Sequence, residues 1–273
     1  AGNKTYEKYL LLEKLKSDDA AVVLEAARGL LATGDAKLAS AFAELTVHNN
    51  PEVRQVGVKG LMTFKQYGPM AELLEKAGLN RDTAEPIARV LTDETTGQRQ
   101  ATGIAWLLAN GTRDNAVRAA TVAGDKRVAG TTAALGASLK RSEPEVREAA
   151  AAALESLKDT QALEPLAVAV RQTSIDAERA RFTQVAIAII AVQPLDQVVR
   201  ISESPDTTIR ELAVKSLAEF AKERANPRVL TELRRHLSDT EQPIRQAAVF
   251  ALARIKDAAV VSQLAALKAD SDP

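Results

Sequence analysis

The stretch that decides the fold runs from Pro144 to Leu154 and reads PEVREAAAAAL. In it a β-branched residue, Val146, is followed by Arg147, and Leu154 stands eight positions after the valine. The same phrase recurs three times, each copy with a proline just upstream: Val53-Arg54 with Leu61, Ile209-Arg210 with Leu217, and Ile244-Arg245 with Leu252. Internal repetition at roughly 30 to 35 residues is typical of a solenoid. The sequence therefore predicts a repeat fold built from helices.

The residues around this phrase predict two antiparallel helices joined by a tight turn. Ser142 can cap the free amides of a helix, and Pro144 is tolerated in its first turn. Apolar residues then recur at helical spacing as far as Leu157, and a second apolar stripe follows a break at 158–160. The same plan fits five further segments: 17–47, 50–77, 176–201, 204–237 and 239–268. In two of these a capping residue stands directly before a proline: Asn50-Pro51 and Ser204-Pro205.

The segment 78–141 fits the helix-pair plan poorly. Its glycines at 97, 103, 111, 124, 130 and 136 are unusual, because a glycine costs about 1 kcal/mol relative to alanine inside a helix. We expect helices here in an altered register, with the glycines at close helix contacts, kinks or loops. The segment then either bends the solenoid or contributes to binding a partner. Gln98-Arg99 with Trp106 is interpreted as a degenerate copy of the repeated phrase.

The predicted organisation is a single solenoid over residues 1–273. A lone helix, from about Thr5 to Lys16, is expected to cap the N-terminal end with lysines on its outer face. The predicted parts are a capping helix in 1–16, regular repeats in 17–77, irregular repeats in 78–141 and regular repeats in 142–273.

Composition narrows the classes of function. The chain has 36 basic and 36 acidic residues, whereas a nucleic-acid-binding domain usually has a basic excess. Its longest apolar run, Val185 to Val192, has eight residues, and a bilayer span needs about 20. The chain has no cysteine, which excludes disulfides and thiolate chemistry. We therefore expect no nucleic-acid partner and no membrane insertion, and a soluble protein with the cytoplasm slightly favoured over export.

The segment 144–166 resembles a HEAT repeat of the bacterial subtype related to phycobilin lyases. The matching residues are Pro144-Glu145-Val146-Arg147-Glu148-Ala149-Ala150, Leu154, Lys158-Asp159, Leu163 and Pro165-Leu166, and Pro243-Ile244-Arg245-Gln246-Ala247-Ala248 matches in the same way. The resemblance implies an all-α fold, an armadillo-like α-solenoid (right-handed superhelix) of about seven antiparallel helix pairs. It also implies a concave surface, lined by the second helices, that holds a protein partner. The function it implies is a non-enzymatic scaffold or adaptor, monomeric alone or part of a complex.

The repeated arginines form a ladder: Arg54, Arg147, Arg210 and Arg245. Arginine suits partly buried ion pairs with several hydrogen bonds. We interpret the ladder as structural, with each arginine bound to a turn aspartate such as Asp159 or Asp257, in its own repeat or in the next. The alternative is a row of arginines that grips an acidic partner.

No residue set predicts catalysis, and we expect no catalytic, cofactor-binding or metal-binding residues and no cofactor. The two histidines, His48 and His236, are isolated in the sequence, and neither is placed to suggest a metal site or the base of a serine nucleophile. Two enzymatic alternatives remain. One is a bilin lyase or chromophore chaperone, which the repeat subtype suggests. The other is a DNA-binding protein like the HEAT-like alkylpurine glycosylases, to which Trp106 and Asp114 would contribute.

The candidate partner-binding residues are the sole tryptophan and the basic residues expected on second helices: Trp106, Arg171, Arg234, Arg235 and Lys268. Trp106 either fills a gap left by small neighbours or is an exposed anchor. Arg234 and Arg235 with His236 form the densest basic cluster on a predicted second helix.

Overall fold

The structure is a computed structural model and describes residues 2–76, 79–220 and 226–255. Every regular element within these ranges is an α-helix or a short 3-10 helix. The all-α prediction is confirmed. Among the described helices, none combines the length and the apolar character needed to cross a bilayer.

The described residues form two compact units. Unit 1 lies within residues 1–138 and 143–149, and unit 2 within 139–142 and 150–273. The described helices of unit 1 are α1 (Gly2–Lys14), α2 (Ala20–Ala32), α3 (Ala39–Leu45), α4 (Pro51–Thr63), α5 (Tyr67–Glu75), α6 (Arg81–Glu94), α7 (Gly97–Asn110), α8 (Arg113–Asp125) and α9 (Thr132–Ser138). Helix α10 (Pro144–Leu157) has residues in both units. Those of unit 2 are α11 (Leu163–Gln172), α12 (Asp176–Ala191), α13 (Leu195–Ile201), α14 (Thr207–Phe220), α15 (Pro227–Arg235) and α16 (Gln242–Ile255).

The helices of each unit pack as solenoid helices do. In unit 1, α2, α4, α6 and α8 each contact the next of the series, and α3, α5, α7 and α9 form a second series. In unit 2, α12, α14 and α16 contact one another in order, with α11 on α12, α13 on α14 and α15 on α16. In chain order the described helices from α2 to α15 make seven successive pairs, which agrees with the predicted number of about seven.

The repeated phrase supplies the core of its repeats. All four of its leucines are fully buried: Leu61, Leu154, Leu217 and Leu252. Of the β-branched residues, Val53, Val146 and Ile244 are fully buried, whereas Ile209 is half-buried. The spacing of eight places both apolar residues of a copy on the same helix face, about two turns apart, so that both pack inward.

Helix starts follow the predicted caps with one difference. Asn50 caps α4, because its Oδ1 accepts hydrogen bonds from the backbone amides of Glu52 and Val53. Ser204 does not cap α14, as Ser204-Pro205 had suggested. The cap is Asp206, whose Oδ1 accepts from the amides of Thr208 and Ile209 at 2.9 and 3.1 Å.

In three pairs the turn contains a residue other than glycine with left-handed backbone. Lys158, at the predicted break, has φ 57°, and Lys65 and Arg127 have φ 52° and 49° at the ends of their first helices. Asp159 then starts a 3-10 turn, because its side chain accepts from the amide of Gln161 at 3.0 Å. The turn predicted at 158–160 is confirmed.

The segment 78–141 contains four helices, α6 to α9, as expected. Gly103 lies where α7 crosses α6, and a Cβ built on it would lie 2.7 Å from the carbonyl oxygen of Ala88. The interpretation of Gln98-Arg99 as a copy of the phrase was wrong. These residues begin α7, which contacts α5 and α9 and therefore belongs to the second-helix series.

The division of the chain into capping, regular and irregular parts stays a prediction. Helix α1 begins at Gly2 and ends at Lys14, slightly earlier than the expected 5–16. The second helix expected for the last repeat, with Asp257 and Lys268, lies outside the described residues.

Candidate partner-binding surface

The ladder arginines reach back to the segment that leads into their own helix. Nη1 of Arg54 donates to the carbonyl oxygens of His48 and Asn49, at 3.0 and 2.9 Å. Both carbonyls belong to the loop before α4, five and six positions upstream of the arginine. The same pair of contacts recurs twice: Arg210 with Ser204 (2.6 Å) and Pro205 (3.4 Å), and Arg245 with Asp239 (2.9 Å) and Thr240 (3.0 Å). Arg147, at the equivalent position of α10, is half-buried.

Two ladder arginines also bind an aspartate of the next repeat. Nη2 of Arg54 lies 3.3 Å from Asp82, in the first turn of α6. Arg210 makes a bidentate pair with Asp239, with Nε to Oδ2 at 3.2 Å and Nη2 to Oδ1 at 3.4 Å. Only 14% of the Arg210 side chain and 11% of the Asp239 side chain are exposed. The aspartates therefore differ from the predicted type, since both lie at the start of the following repeat and not in the turn within a pair.

In the irregular segment a glutamate links successive helix pairs. Oε1 of Glu85, on α6, accepts from the amide of Thr112 and from Nδ2 of Asn115, at 3.1 and 2.6 Å. Its Oε2 accepts from Nε of Arg81 at 3.2 Å. Burial by itself raises the pKa of Glu85, but the hydrogen bonds from Asn115 and the Thr112 amide together with the charge and hydrogen bond of Arg81 outweigh it, and the pKa is lowered. This link was not foreseen, because no copy of the phrase marks it.

The candidate arginines on second helices are engaged with neighbouring groups. Arg171, on α11, contacts both carboxylate oxygens of Asp206 at 2.9 Å and Oγ1 of Thr208 at 3.0 Å. Arg235, on α15, pairs with Glu203 at 3.2 Å and with Glu232 at 2.9 Å. Nearly half of each arginine side chain is exposed, but both charges are balanced by carboxylates of their own unit.

The other predicted binding residues occupy separate places. Arg234 is half-buried on α15. Trp106 is half-buried on α7 in unit 1, where its carbonyl oxygen accepts from Nδ2 of Asn110 at 3.2 Å. Lys268 lies outside the described residues. The described candidates thus form no single cluster within either unit.

Ser202, His236 and Asp239 meet in a buried network of unit 2 that the sequence interpretation missed. Nε2 of His236 lies 3.2 Å from Oγ of Ser202, and its Nδ1 lies 3.5 Å from Oδ2 of Asp239. The order of the groups resembles a serine hydrolase triad, but Ser202 has no exposed surface and its hydroxyl donates to the carbonyl of Val199 at 2.8 Å. Because the hydroxyl has no exposed surface and is hydrogen-bonded within its own helix end, we interpret the network as a link between repeats.

The network carries a pH dependence. Burial, and then the charge of Arg235, lower the pKa of His236 below its ordinary 6.5, against the attraction of Asp239. The pKa of Asp239 is also lowered. Burial opposes this change, but the amide of Glu241 and the guanidinium of Arg210 outweigh it.

Because both pKa values are lower in the folded chain, the unfolded chain binds protons first on acidification. We expect the melting temperature to be constant just above pH 6.5 and to fall below it, because the unfolded chain takes up a proton at His236 before the folded chain does. It should fall further below pH 4.5, where Asp239 contributes together with Glu85 and Asp206, whose pKa values are also lowered. The measurement is thermal unfolding by circular dichroism from about pH 7.5 to about pH 3. His236→Gln should abolish the first decline and keep the second. If the first decline is unchanged in this variant, it does not come from His236.

Unit 2 also contains an open groove between the second helices of two repeats. It has a volume of about 480 Å³ and is lined by the residues Thr160, Gln161, Leu163, Glu164, Gln197, Arg200, Ile201, Ser204 and Ile209. Leu163 is buried at its base, and Ile201 and Ile209 are half-buried. Glu164 and Arg200 are exposed at its rim. The groove therefore combines an apolar floor with a polar, charged edge, as binding sites commonly do.

Comparison with known families identifies the repeats. Residues 195–273 match the family model for HEAT repeats, and residues 146–172 match the model for the PBS lyase HEAT-like repeat. All nine residues that line the groove lie within these two segments. None of the curated proteins compared matches the chain.

Among solved structures, the chain is similar to an engineered protein and to Kap121p. The engineered protein is 18% identical, with 97% of this chain and 85% of that chain covered and a TM-score of 0.35. Kap121p bound to Ste12p is 13% identical, with 93% of this chain covered and a TM-score of 0.41. The chain spans 30% of the length of Kap121p in that structure.

Proposed function

We propose that this chain, which carries HEAT repeats over residues 146–172 and 195–273, is a non-enzymatic scaffold that binds a protein partner. The observation that carries the proposal is the groove of unit 2, where half-buried Ile201 and Ile209 leave apolar surface open between two repeats. Apolar surface in a concavity with a polar rim is the usual arrangement of a protein-binding hot spot.

The walls of the groove are held in place before any partner binds. Asp206, two residues after the groove residue Ser204, caps the N-terminus of α14 and binds Arg171 on α11. Arg210 follows Ile209 and ties α14 to the loop that precedes α16. A preorganised site loses little conformational entropy on binding, and this supports a binding role for the groove.

The test is photo-crosslinking from native extract with the intact chain as bait. A photoreactive amino acid at Gln197, on the groove wall, should capture a defined protein in near-stoichiometric yield. Arg28 is exposed on α2 of unit 1, and the same group placed there should not capture that protein. Ile201→Glu, which puts a charge on the floor, should reduce capture at Gln197 at least tenfold, since a buried unpaired charge costs more than 1.4 kcal/mol. Equal capture at Gln197 and Arg28, or capture insensitive to Ile201→Glu, would contradict the proposal.

A bilin lyase or chromophore chaperone is the second candidate, because residues 146–172 match the PBS lyase HEAT-like repeat. This match covers one helix pair. A linear tetrapyrrole added to the purified chain would give a shifted visible absorption band if this candidate is right. No shift, together with capture at Gln197, would favour the scaffold.

A further inference from the structure

The rim of the groove carries two charged side chains without an ion-pair partner among the described residues. Arg200, in the last turn of α13, and Glu164, in the first turn of α11, are both exposed. Neither makes an ion pair or a side-chain hydrogen bond with any other residue in the described part of the chain. They stand on different second helices, α11 and α13, and both line the groove.

Arg200 is exceptional among the arginines on the second helices of unit 2. Arg171 binds Asp206, Arg228 binds Asp196, and Arg235 binds Glu203 and Glu232. Arg234 also has an interaction. Within the described residues, Arg200 is the one second-helix arginine of the unit whose guanidinium has no partner, and it lies beside the apolar floor. A cation left unpaired there remains available to a bound ligand.

We propose that the groove selects a protein segment with a fixed order of side chains. The segment places an aliphatic side chain on the floor formed by Leu163, Ile201 and Ile209, a carboxylate against Arg200, and a cationic side chain against Glu164. This inference rests on the proposed scaffold function and names the chemistry of its partner.

The two kinds of contact have different effects. The aliphatic contact supplies most of the affinity, because apolar burial in a pocket dominates hot spots. The exposed charges supply selectivity and orientation, since charge complementarity at a rim discriminates between partners more than it adds affinity. A segment with the two charges reversed would bring like charges together at both walls.

The experiment is selection from a displayed library of random peptides on the full chain, with four proteins compared. They are the unaltered chain, Arg200→Glu, Glu164→Lys, and Arg28→Glu as a control with the same charge change on exposed α2. Circular dichroism first establishes that each variant keeps the helical spectrum and melting temperature. For the unaltered chain we expect enrichment of peptides with an aliphatic residue flanked by an acidic residue on one side and a basic residue on the other.

Arg200→Glu should lower the affinity for such peptides about tenfold. Selection on this variant should enrich peptides with basic residues at both flanks. Glu164→Lys should enrich peptides that are acidic at both flanks, and Arg28→Glu should leave the selection unchanged. The inference is overturned if peptides bind but their charge pattern is the same for Arg200→Glu as for the unaltered chain. It is also overturned if Arg200→Glu abolishes self-association of the chain, because the occupant would then be a second copy.

Failure of this inference differs from failure of the scaffold proposal. If proteins are captured at Gln197 but the selected peptides show no charge preference, the scaffold proposal is supported and the proposed charge selectivity of the groove is wrong. If nothing is captured at Gln197 and no peptide binds the groove, both are wrong.

Discussion

Arg210→Ala is expected to lower the free energy of unfolding by about 3 kcal/mol, because it leaves Asp239 ionised and nearly buried without its bidentate partner. The variant also loses the hydrogen bond to the carbonyl of Ser204. The melting temperature should fall by roughly 6 to 12 °C, at about 2 to 4 °C per kcal/mol. Guanidinium chloride unfolding followed by circular dichroism measures the change, and a double-mutant cycle with Asp239→Asn isolates the energy of the pair.

Arg228→Ala is the matched control, since Arg228 pairs with Asp196 across a neighbouring junction but both side chains are more than half exposed. Exposed pairs contribute about 0 to 1 kcal/mol, so this variant should unfold almost as the unaltered chain does. If Arg210→Ala lowers the free energy of unfolding no more than Arg228→Ala does, the arginine ladder is not structural. Weakened partner binding with unchanged stability would then favour the alternative in which the arginines grip an acidic partner.

Gly103→Ala should destabilise unit 1 by about 2 to 3 kcal/mol, because one methyl group overpacks the crossing of α6 and α7. The new Cβ would lie 2.7 Å from the carbonyl oxygen of Ala88, 2.8 Å from Cβ of Leu91 and 2.9 Å from the amide nitrogen of Thr92. Two of these three atoms are backbone, so relief requires the helices to separate. Differential scanning calorimetry records the loss as a lower transition temperature.

Gly68→Ala is the control for Gly103→Ala within the same unit. Its nearest neighbour is Nη2 of Arg99 at 3.8 Å, and it lies near the start of α5 with no strained backbone. Alanine should therefore be tolerated or should raise stability by up to about 1 kcal/mol through helix propensity. Equal destabilisation by the two substitutions would indicate an effect of losing glycine in general and not of the close crossing.

The sequence predicted those features that depend on a few neighbouring residues. The cap at Asn50, the break at Lys158 and the buried leucines of the phrase are local consequences of capping, turn chemistry and helical periodicity. The cap of α14 was placed on the wrong residue because Ser204 and Asp206 both carry a suitable acceptor. Only the structure decides which of them stands one residue before the helix.

The misjudged features depend on register between distant segments. The partner of Arg54 is 28 residues away and that of Arg210 is 29 residues away, so each depends on the length of every helix and loop between them. Gln98-Arg99 shares with the phrase only the arginine and a large apolar residue at the spacing of eight, and it falls on a second helix because α7 follows α6 after a very short connection. The groove could not be predicted either, since its nine lining residues come from widely separated positions.

The ties between repeats have a consequence for how the chain folds. Their partners are 25 to 37 residues apart, as in Arg118–Asp93, Arg210–Asp239 and Arg171–Thr208. A contact map of this kind has a low contact order, and chains with low contact order fold fast. Each repeat is stabilised mainly by the repeats beside it. Folding can therefore nucleate at any repeat and propagate to its neighbours in both directions along the chain. If one repeat is much less stable than the others, the segments on its two sides should unfold separately. Native-state hydrogen exchange should then show a different amide protection factor on each side of that repeat.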